Sequence, residues 1–215
     1  MKHTPIAVKT TLQSTVNIKK DIAMCVIIVK PAGVKMPSNE IINAAYHTNP
    51  HGCGLVSPSV FYKGLSYRSF KKHLQRVRED EPCIIHFRLA THGSIKRANC
   101  HPFNRGDVWF AHNGILNIQP MGDMTDSETA LQKVIYPAIV KYGYGSEGMD
   151  VAVAKVIGYS KFAFMQGDDV RLYGDFITGD DGCYYSNLRF MPFVGWQRKY
   201  RHNAYDMGSL ITTGR

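Results

Sequence analysis

The fold is decided by the stretch Met24-Cys25-Val26-Ile27-Ile28-Val29, in which a cysteine stands at the head of a run of β-branched apolar residues. A run of this length and composition predicts a buried β-strand. If translation starts at Met24 and the methionine is removed, Cys25 becomes the first residue and carries a free α-amino group. An α-amine with a pKa of ~8 can take the proton of a thiol with a pKa of ~8.5, so no histidine is needed as a base. In the alternative interpretation, Met24-Cys25 is a chance pair and Cys25 is a core thiol that opens the strand.

Four short strings follow this strand in the chain. They are His86-Phe87-Arg88-Leu89-Ala90-Thr91-His92-Gly93, Asn99-Cys100-His101-Pro102-Phe103, His112-Asn113-Gly114-Ile115 and Asp126-Ser127-Glu128-Thr129. In this order, after an initial Met-Cys, they resemble the class II glutamine amidotransferases, whose glutaminase domain has the N-terminal-nucleophile hydrolase fold. Any one string alone is weak evidence, but four ordered matches between Cys25 and Thr129 indicate this family.

The resemblance implies three catalytic residues. Cys25 would attack the side-chain amide of glutamine and form a γ-glutamyl thioester, which water hydrolyses after ammonia has left. Asn113 and Gly114 align with the oxyanion hole of the family, the first through its side-chain amide and the second through its backbone N–H.

The resemblance also implies a pocket that reads the head group of an α-amino acid. Arg88 aligns with the arginine that binds the substrate carboxylate, a role that suits a planar guanidinium with two parallel donors. Thr91 and His92 follow at the strand end and would complete the carboxylate site. Asp126 aligns with the carboxylate that binds the α-amino group, although it is equally placed to act as a helix N-cap.

Composition limits the other possibilities. The 215 residues, 44% of them hydrophobic, suffice for one domain with a sizeable core. No run approaches the ~20 apolar residues of a membrane helix. The five cysteines are widely spaced and without a C-x-x-C pair, which favours a reducing, cytoplasmic setting. His86, His101 and His112 lack the spacing of a zinc site, so neither a metal nor another cofactor is expected.

The formal net charge of +9 raises a second hypothesis. About seven of these charges lie in residues 1–24 and 189–215, outside the part that carries the strings. We expect these ends to be solubilising, so a nucleic-acid partner is not the favoured interpretation. The alternative function is a non-catalytic protein on the same fold that uses its basic ends to bind nucleic acid or a protein. A related hydrolase of another amide is a third candidate.

Three regions are expected along the chain. Residues 1–24 form an N-terminal extension, which is either the result of a wrongly assigned start or a propeptide, residues 25–190 form the glutaminase domain, and residues 191–215 form a basic, aromatic tail. A retained extension would turn the nitrogen of Cys25 into an amide, which cannot act as a base. Since no acceptor domain fits behind Thr129, the expected partners are L-glutamine and an ammonia-accepting synthetase or transferase in trans.

The order of elements predicts an α+β fold. Helices are predicted over residues 39–47, with Ser38 as N-cap, over 126–142, with a kink at Pro137, and near 149–157. Strands are predicted over residues 83–89, 108–111, 161–165, 170–176 and 183–190. The resemblance narrows this class to a four-layer αββα sandwich of the N-terminal-nucleophile hydrolase type, with two antiparallel sheets between helices.

Overall fold

The computed structural model describes residues 24–90 and 94–194, and these contain two antiparallel sheets flanked by helices. The first sheet is built from β1 (Val26–Lys30), β2 (Cys53–Val56), β3 (Phe61–Gly64), β4 (Cys83–Phe87), β9 (Ile177–Thr178) and β10 (Tyr184–Tyr185). The second is built from β5 (Phe103–Arg105), β6 (Val108–Asn113), β7 (Lys161–Gln166) and β8 (Asp169–Tyr173). The predicted α+β class is therefore confirmed.

Strand β1 lies in the interior of the first sheet, whose order is β3-β2-β4-β1-β10-β9. Every residue of β1 is buried, as the β-branched run predicts. It pairs with β4 in the register Val26↔Phe87 through Lys30↔Cys83, and with β10 through Ile28↔Tyr185. The amino end of β1 thus meets the carboxyl end of β4. The second sheet has the order β5-β6-β7-β8.

Five α-helices complete the described fold, namely α1 (Asn39–Thr48), α2 (Tyr67–Leu74), α3 (Asp126–Ala130), α4 (Tyr136–Tyr142) and α5 (Glu147–Ile157). Ser38 caps α1 as predicted, its side chain accepting a hydrogen bond from the N–H of Ile41. Helix α3 differs from the prediction, because Thr125 is the N-cap and accepts from the N–H of Glu128 at 3.1 Å. Asp126 is consequently not the N-cap.

The predicted helix over 126–142 is interrupted. A π-helical segment, Leu131–Ile135, separates α3 from α4. Pro137 follows in the first turn of α4. Because proline has no N–H and its ring crowds the carbonyl four residues earlier, the regular ladder cannot run through this point. The kink expected at Pro137 takes the form of this widened turn.

Three clusters of buried residues form the core. One joins the first sheet to α1 and α2 through Val26, Ile28, Ile42, Ala45, Phe70 and Leu74. Another joins the second sheet to α3, α4 and α5 through Phe110, Phe162, Ala130, Ile139 and Met149. A third contains residues of both sheets, among them Ile27, Val29, Ile84, Ala111 and Ala163. Along β1, Ile27 and Val29 of the third cluster alternate with Val26 and Ile28 of the first cluster, so the two faces of this strand pack into different parts of the core.

The last predicted strand is much shorter than expected. Within residues 183–190 only Tyr184–Tyr185 is a strand, and it is followed by polar residues that reach the end of β1. The 3₁₀ turn Met191–Phe193 follows. Val194 then packs against the first core cluster, to which Phe190 belongs. Residues 1–23 and 195–215, which include nearly all of the predicted extension and most of the predicted tail, lie outside the described residues. No helix in the described part of the chain is long and apolar enough to cross a bilayer.

Candidate active site

Three of the predicted site residues lie at one end of the two sheets. The cluster between the sheets contains Ile27 of β1, Ile84 of β4 and Ala111 of β6. Side chains alternate between the two faces of a strand, so Cys25, Arg88 and Asn113 continue the same inward-facing rows. Each stands at or directly beyond the end of its strand. Folding therefore brings together residues that lie far apart in the sequence.

The Cys25 thiol is half-buried and is held by backbone groups. The N–H of Leu89 donates to its Sγ at 3.4 Å, and Sγ in turn lies 3.7 Å from the carbonyl oxygen of Leu89. The side-chain amide of Asn187 donates to the Cys25 carbonyl oxygen at 2.9 Å. Among residues 24–90 and 94–194, no side chain that could act as a base is hydrogen-bonded to the thiol.

The charges around the thiol have opposite signs. Burial raises the pKa of Cys25, and the nearby Asp126 carboxylate adds to this increase. The Leu89 backbone and the Arg88 guanidinium act in the opposite direction on the same pKa, but burial dominates. Arg88 and Asp126 are therefore both close enough to Cys25 to influence its ionisation.

We expect Cys25 to be the first cysteine alkylated in the native protein. Cys53, Cys83, Cys100 and Cys183 are fully buried, and burial raises the pKa of each of them. Because the pKa of Cys25 is also raised, its thiolate fraction at neutral pH is below that of an ordinary cysteine, and its alkylation should accelerate as the pH rises. Intact mass after brief iodoacetamide treatment at several pH values measures this. Unfolded protein should take up label at all five cysteines. Faster labelling of another cysteine, or a rate independent of pH between about 7 and 9, would contradict the assignment.

Arg88 is a buried cation that has no anionic partner in the part of the chain that the structure describes. Its side chain is 7% exposed, and its Nη1 donates to the carbonyl oxygen of Ser94 at 3.2 Å. Its backbone continues the ladder, since its N–H donates to Gly52 and its carbonyl oxygen accepts from His51. No carboxylate in the described ranges lies within ion-pair distance of it. A buried charge is costly unless it is paired, so the remaining guanidinium donors are available to an anionic ligand.

Asn113 and Gly114 close the other side of the site. The Asn113 amide is buried, and its Nδ2 donates to the Oγ of Ser186 at 2.8 Å, which leaves one amide N–H free. The N–H of Ile27 donates to the same hydroxyl at 2.9 Å, so Ser186 ties Asn113 to β1. Gly114 has φ of 141°, and a Cβ there would lie 2.9 Å from the Cα of Ser160. Only glycine fits at this position.

Asp126 is the first residue of α3, and one of its carboxylate oxygens, Oδ2, accepts a single hydrogen bond from the described residues. Its Oδ1 accepts from the N–H of Ser127 at 2.7 Å and from the Ser127 hydroxyl at 3.2 Å. Its Oδ2 accepts from the N–H of Leu116 at 3.2 Å. Since each carboxylate oxygen has two lone pairs, one lone pair of Oδ2 remains for a ligand. With Thr125 as the N-cap, the capping role no longer competes for these oxygens.

Three of the histidines in the strings, His86, His101 and His112, form a buried group beside the site. The ring centroids of His86 and His101 are 4.3 Å apart, and those of His101 and His112 are 6.3 Å apart. Burial lowers the pKa of His86 to about 3 and that of His112 to about 4, and it lowers the pKa of His101 well below the usual value. All three are therefore neutral at physiological pH.

Sequence reasoning missed part of the site. Ser186 and Asn187, which hold Asn113 and the backbone of Cys25, were assigned to a strand. Lys161, which faces Asn113 across the β6–β7 ladder, donates to the carbonyl oxygen of Ser186. The only signal for the first two is a pair of polar residues directly after two tyrosines. Thr91 and His92, predicted to complete the carboxylate site, lie outside the described residues.

Comparison with known proteins supports the resemblance. Residues 73–156 match the family model for the class II glutamine amidotransferases. This segment contains Arg88, Asn113, Gly114 and Asp126, while Cys25 precedes it. The chain is also similar to the protein YafJ of Escherichia coli (strain K12), whose name assigns it provisionally to the glutamine amidotransferases. The two are 31% identical over 122 residues, which are 44% of this chain and 46% of that protein. The chain thus aligns with less than half the length of this relative.

Proposed function

We propose that the chain, in which residues 73–156 match the class II glutamine amidotransferase family, hydrolyses L-glutamine to L-glutamate and ammonia with Cys25 as the nucleophile. The observation that carries the proposal is the pairing of opposite charges around one thiol. Among the described residues, the buried Arg88 guanidinium has no anionic partner and one lone pair of the Asp126 carboxylate has no donor. Both act on the ionisation of Cys25. The carboxylate and ammonium groups of an α-amino acid complement these two side chains.

The proposed reaction begins at the α-amine of a processed chain. This amine takes the proton of the Cys25 thiol, and Sγ attacks the amide carbon of glutamine. The protonated amine then returns the proton to the amide nitrogen, the C–N bond breaks, and ammonia leaves a γ-glutamyl thioester. Water, deprotonated by the same amine, attacks the thioester and releases glutamate. The amine is the proposed base, and the hydrogen bonds of the thiol to the Leu89 backbone in the described structure are consistent with this role.

The oxyanion is assigned to Asn113 and Gly114. The amide N–H of Asn113 that Ser186 leaves free, together with the backbone N–H of Gly114, would donate to the oxygen of the tetrahedral intermediate. The packing of Asn113 against Ser186 holds this donor in place before the substrate arrives.

We also assign the fold to the N-terminal-nucleophile hydrolases. The three core clusters are consistent with a four-layer αββα sandwich, in which α1 and α2 cover one sheet and α3, α4 and α5 cover the other. In this arrangement a residue directly before a central strand, as Cys25 is before β1, is placed at the mouth of the space between the sheets.

The direct test compares two forms of the protein in a glutamine-to-glutamate assay. The chain that begins at Cys25 should release glutamate and ammonia in equal amounts, whereas the chain that retains residues 1–24 should not, because its Cys25 nitrogen is an amide. Equal activity of both forms would exclude the amine as the base. Absence of turnover in both would contradict the proposal and favour a binding protein on this fold.

Arg88→Lys tests the carboxylate site. Lysine keeps the positive charge beside the thiol but cannot donate two parallel hydrogen bonds to a carboxylate. We expect KM for glutamine to rise at least about tenfold, with kcat changed by less than about threefold, since the lost interaction is made in both the ground and transition states. Melting temperature serves as the control for folding. An unchanged KM would remove Arg88 from this role.

We further propose that the ammonia is passed to a synthetase or transferase in trans. The support is the family that residues 73–156 match, because glutamine amidotransferases transfer the amide nitrogen of glutamine to an acceptor.

A further inference from the structure

A hydrogen-bonded chain of side chains connects the buried histidines to Asp126. The Nδ1 of His112 lies 2.8 Å from the Oγ of Ser127, and the same Oγ lies 3.2 Å from the Oδ1 of Asp126. His112 and Ser127 are both buried, at 4% and 3% exposure. Neither is used in the reaction described above, so their hydrogen bonds have to be explained separately.

The direction of donation in this chain follows from the partners available. If the Ser127 hydroxyl donates to Oδ1, then His112 has to carry its proton on Nδ1 and donate to Oγ, which leaves a lone pair on Nε2. If the hydroxyl donates to His112 instead, Oγ faces the carboxylate oxygen without a proton, and Nε2 becomes a buried N–H. Nε2 has no hydrogen-bond partner in the described structure, and the His112 ring lies beside the rings of Phe110 and Phe162. Nε2 lacks a partner in both arrangements, but the second also places two oxygen atoms 3.2 Å apart with no proton between them, so the first is preferred.

In this arrangement the Nδ1–H of His112 donates to Ser127, and the hydroxyl of Ser127 donates to the Asp126 carboxylate. Successive hydrogen bonds of this kind polarise and strengthen one another in a buried environment. Oδ1 then has both lone pairs occupied, by the N–H and the hydroxyl of Ser127, while Oδ2 is held only by Leu116. The rotation of the carboxylate is fixed, and the free lone pair belongs to Oδ2.

We propose that His112 and Ser127 are positioning residues, and that the chain from His112 Nδ1–H through Ser127 Oγ–H to Asp126 Oδ1 aims Oδ2 at the ammonium group of the substrate. The inference rests on the proposed function in one respect, the identification of the ligand as an α-amino acid. Breaking the hydrogen bonds from His112 through Ser127 to Asp126 should therefore weaken binding of the ammonium group and leave binding of the rest of the ligand unchanged.

The test measures binding in the full chain carrying Cys25→Ala, so that no turnover takes place. L-Glutamine and glutaramate, which is glutamine without its α-amino group, are titrated calorimetrically into this protein and into the same protein with Ser127→Ala. Ser127→Ala should weaken L-glutamine binding about tenfold, the loss expected of one hydrogen bond to a charged group. Its effect on glutaramate should stay within about twofold, because that ligand has no ammonium group.

Two further pairs of variants separate positioning from folding. Ser127→Thr keeps the hydroxyl and should restore the preference for L-glutamine. His112→Asn places an amide N–H close to the position of Nδ1, whereas His112→Gln places one close to Nε2, so the first should retain the preference and the second should lose it. Ratios of the two affinities are compared, so a general loss of stability cancels.

Equal weakening of both ligands by Ser127→Ala, or no weakening of either, would overturn the inference. A protein that binds L-glutamine in this Ser127-dependent way but hydrolyses none after processing would support the positioning chain and contradict the proposed function. Absence of L-glutamine binding in the Cys25→Ala protein would contradict the positioning chain.

Discussion

Cys25→Ala should abolish glutamine hydrolysis in the chain that begins at residue 25, leaving its fold and its affinity for glutamine intact. The loss is complete because alanine offers no group that can form the thioester. The fold should survive because the thiol is half-buried and, among the described residues, its hydrogen bonds are to the Leu89 backbone. Coupled detection of glutamate measures the activity, and calorimetric titration measures the affinity.

Cys25→Ser is the matched control, since a hydroxyl fills the same space and keeps a weaker nucleophile. We expect it to bind glutamine like the parent protein, with turnover reduced to near background. Hydrolysis by Cys25→Ala at a rate near that of the parent would mean that another group performs the attack, and the assignment of the nucleophile would be wrong.

Asn113→Ala should lower kcat by roughly 100- to 1,000-fold and change KM little. This is the usual cost of removing one donor from an oxyanion hole, because that donor acts mainly on the charge that develops in the transition state. Steady-state kinetics on the processed chain measures both constants. A fall in kcat/KM caused entirely by KM would move Asn113 from the oxyanion hole to substrate binding.

Ser186→Ala is the control for this variant. It removes the hydroxyl that accepts from Asn113 and from the N–H of Ile27, but it leaves the Asn113 amide in the site. Two buried donors lose their acceptor, so we expect a stability loss of about 1–3 kcal/mol and a smaller fall in kcat than for Asn113→Ala. If both variants lose kcat equally, the hydrogen bond to Ser186 is as important as the amide itself.

Much of the fold could be predicted because the signals are local. The β-branched run after Cys25 predicted β1, and Ser38 predicted the start of α1. The strands β4, β6, β7 and β8 were all expected. Strand β10 was not predicted correctly, because two residues carry little pattern of their own and Tyr184–Tyr185 is a strand only through its pairing with β1 and β9.

The candidate site divides in the same way. Cys25, Arg88, Asn113, Gly114 and Asp126 were identified through a resemblance, and the first three are brought together by the alternation of side chains along β1, β4 and β6. The roles of Thr125 and Asp126 could not be separated from sequence, since either can cap a helix that begins at this point. Thr125 takes the cap because Asp126 already accepts hydrogen bonds from Leu116 and Ser127.

The hydrogen bonds between side chains of different elements could not be predicted from the sequence, for a physical reason. Ser186 reaches Asn113, and His112 reaches Ser127, across elements whose relative placement depends on tertiary packing. Only the polar character of these residues can be read locally, and polar residues at strand ends and helix starts have many uses.

The most direct measurement is mass spectrometry of the processed chain, acid-quenched during turnover of L-glutamine. We expect a species heavier than the free chain by a γ-glutamyl group, that is, glutamine less ammonia. The added group should map to Cys25, be released by hydroxylamine, and be absent from Cys25→Ala. Turnover of glutamine with no adduct on Cys25 under any quench, or an adduct on another residue, would contradict the account.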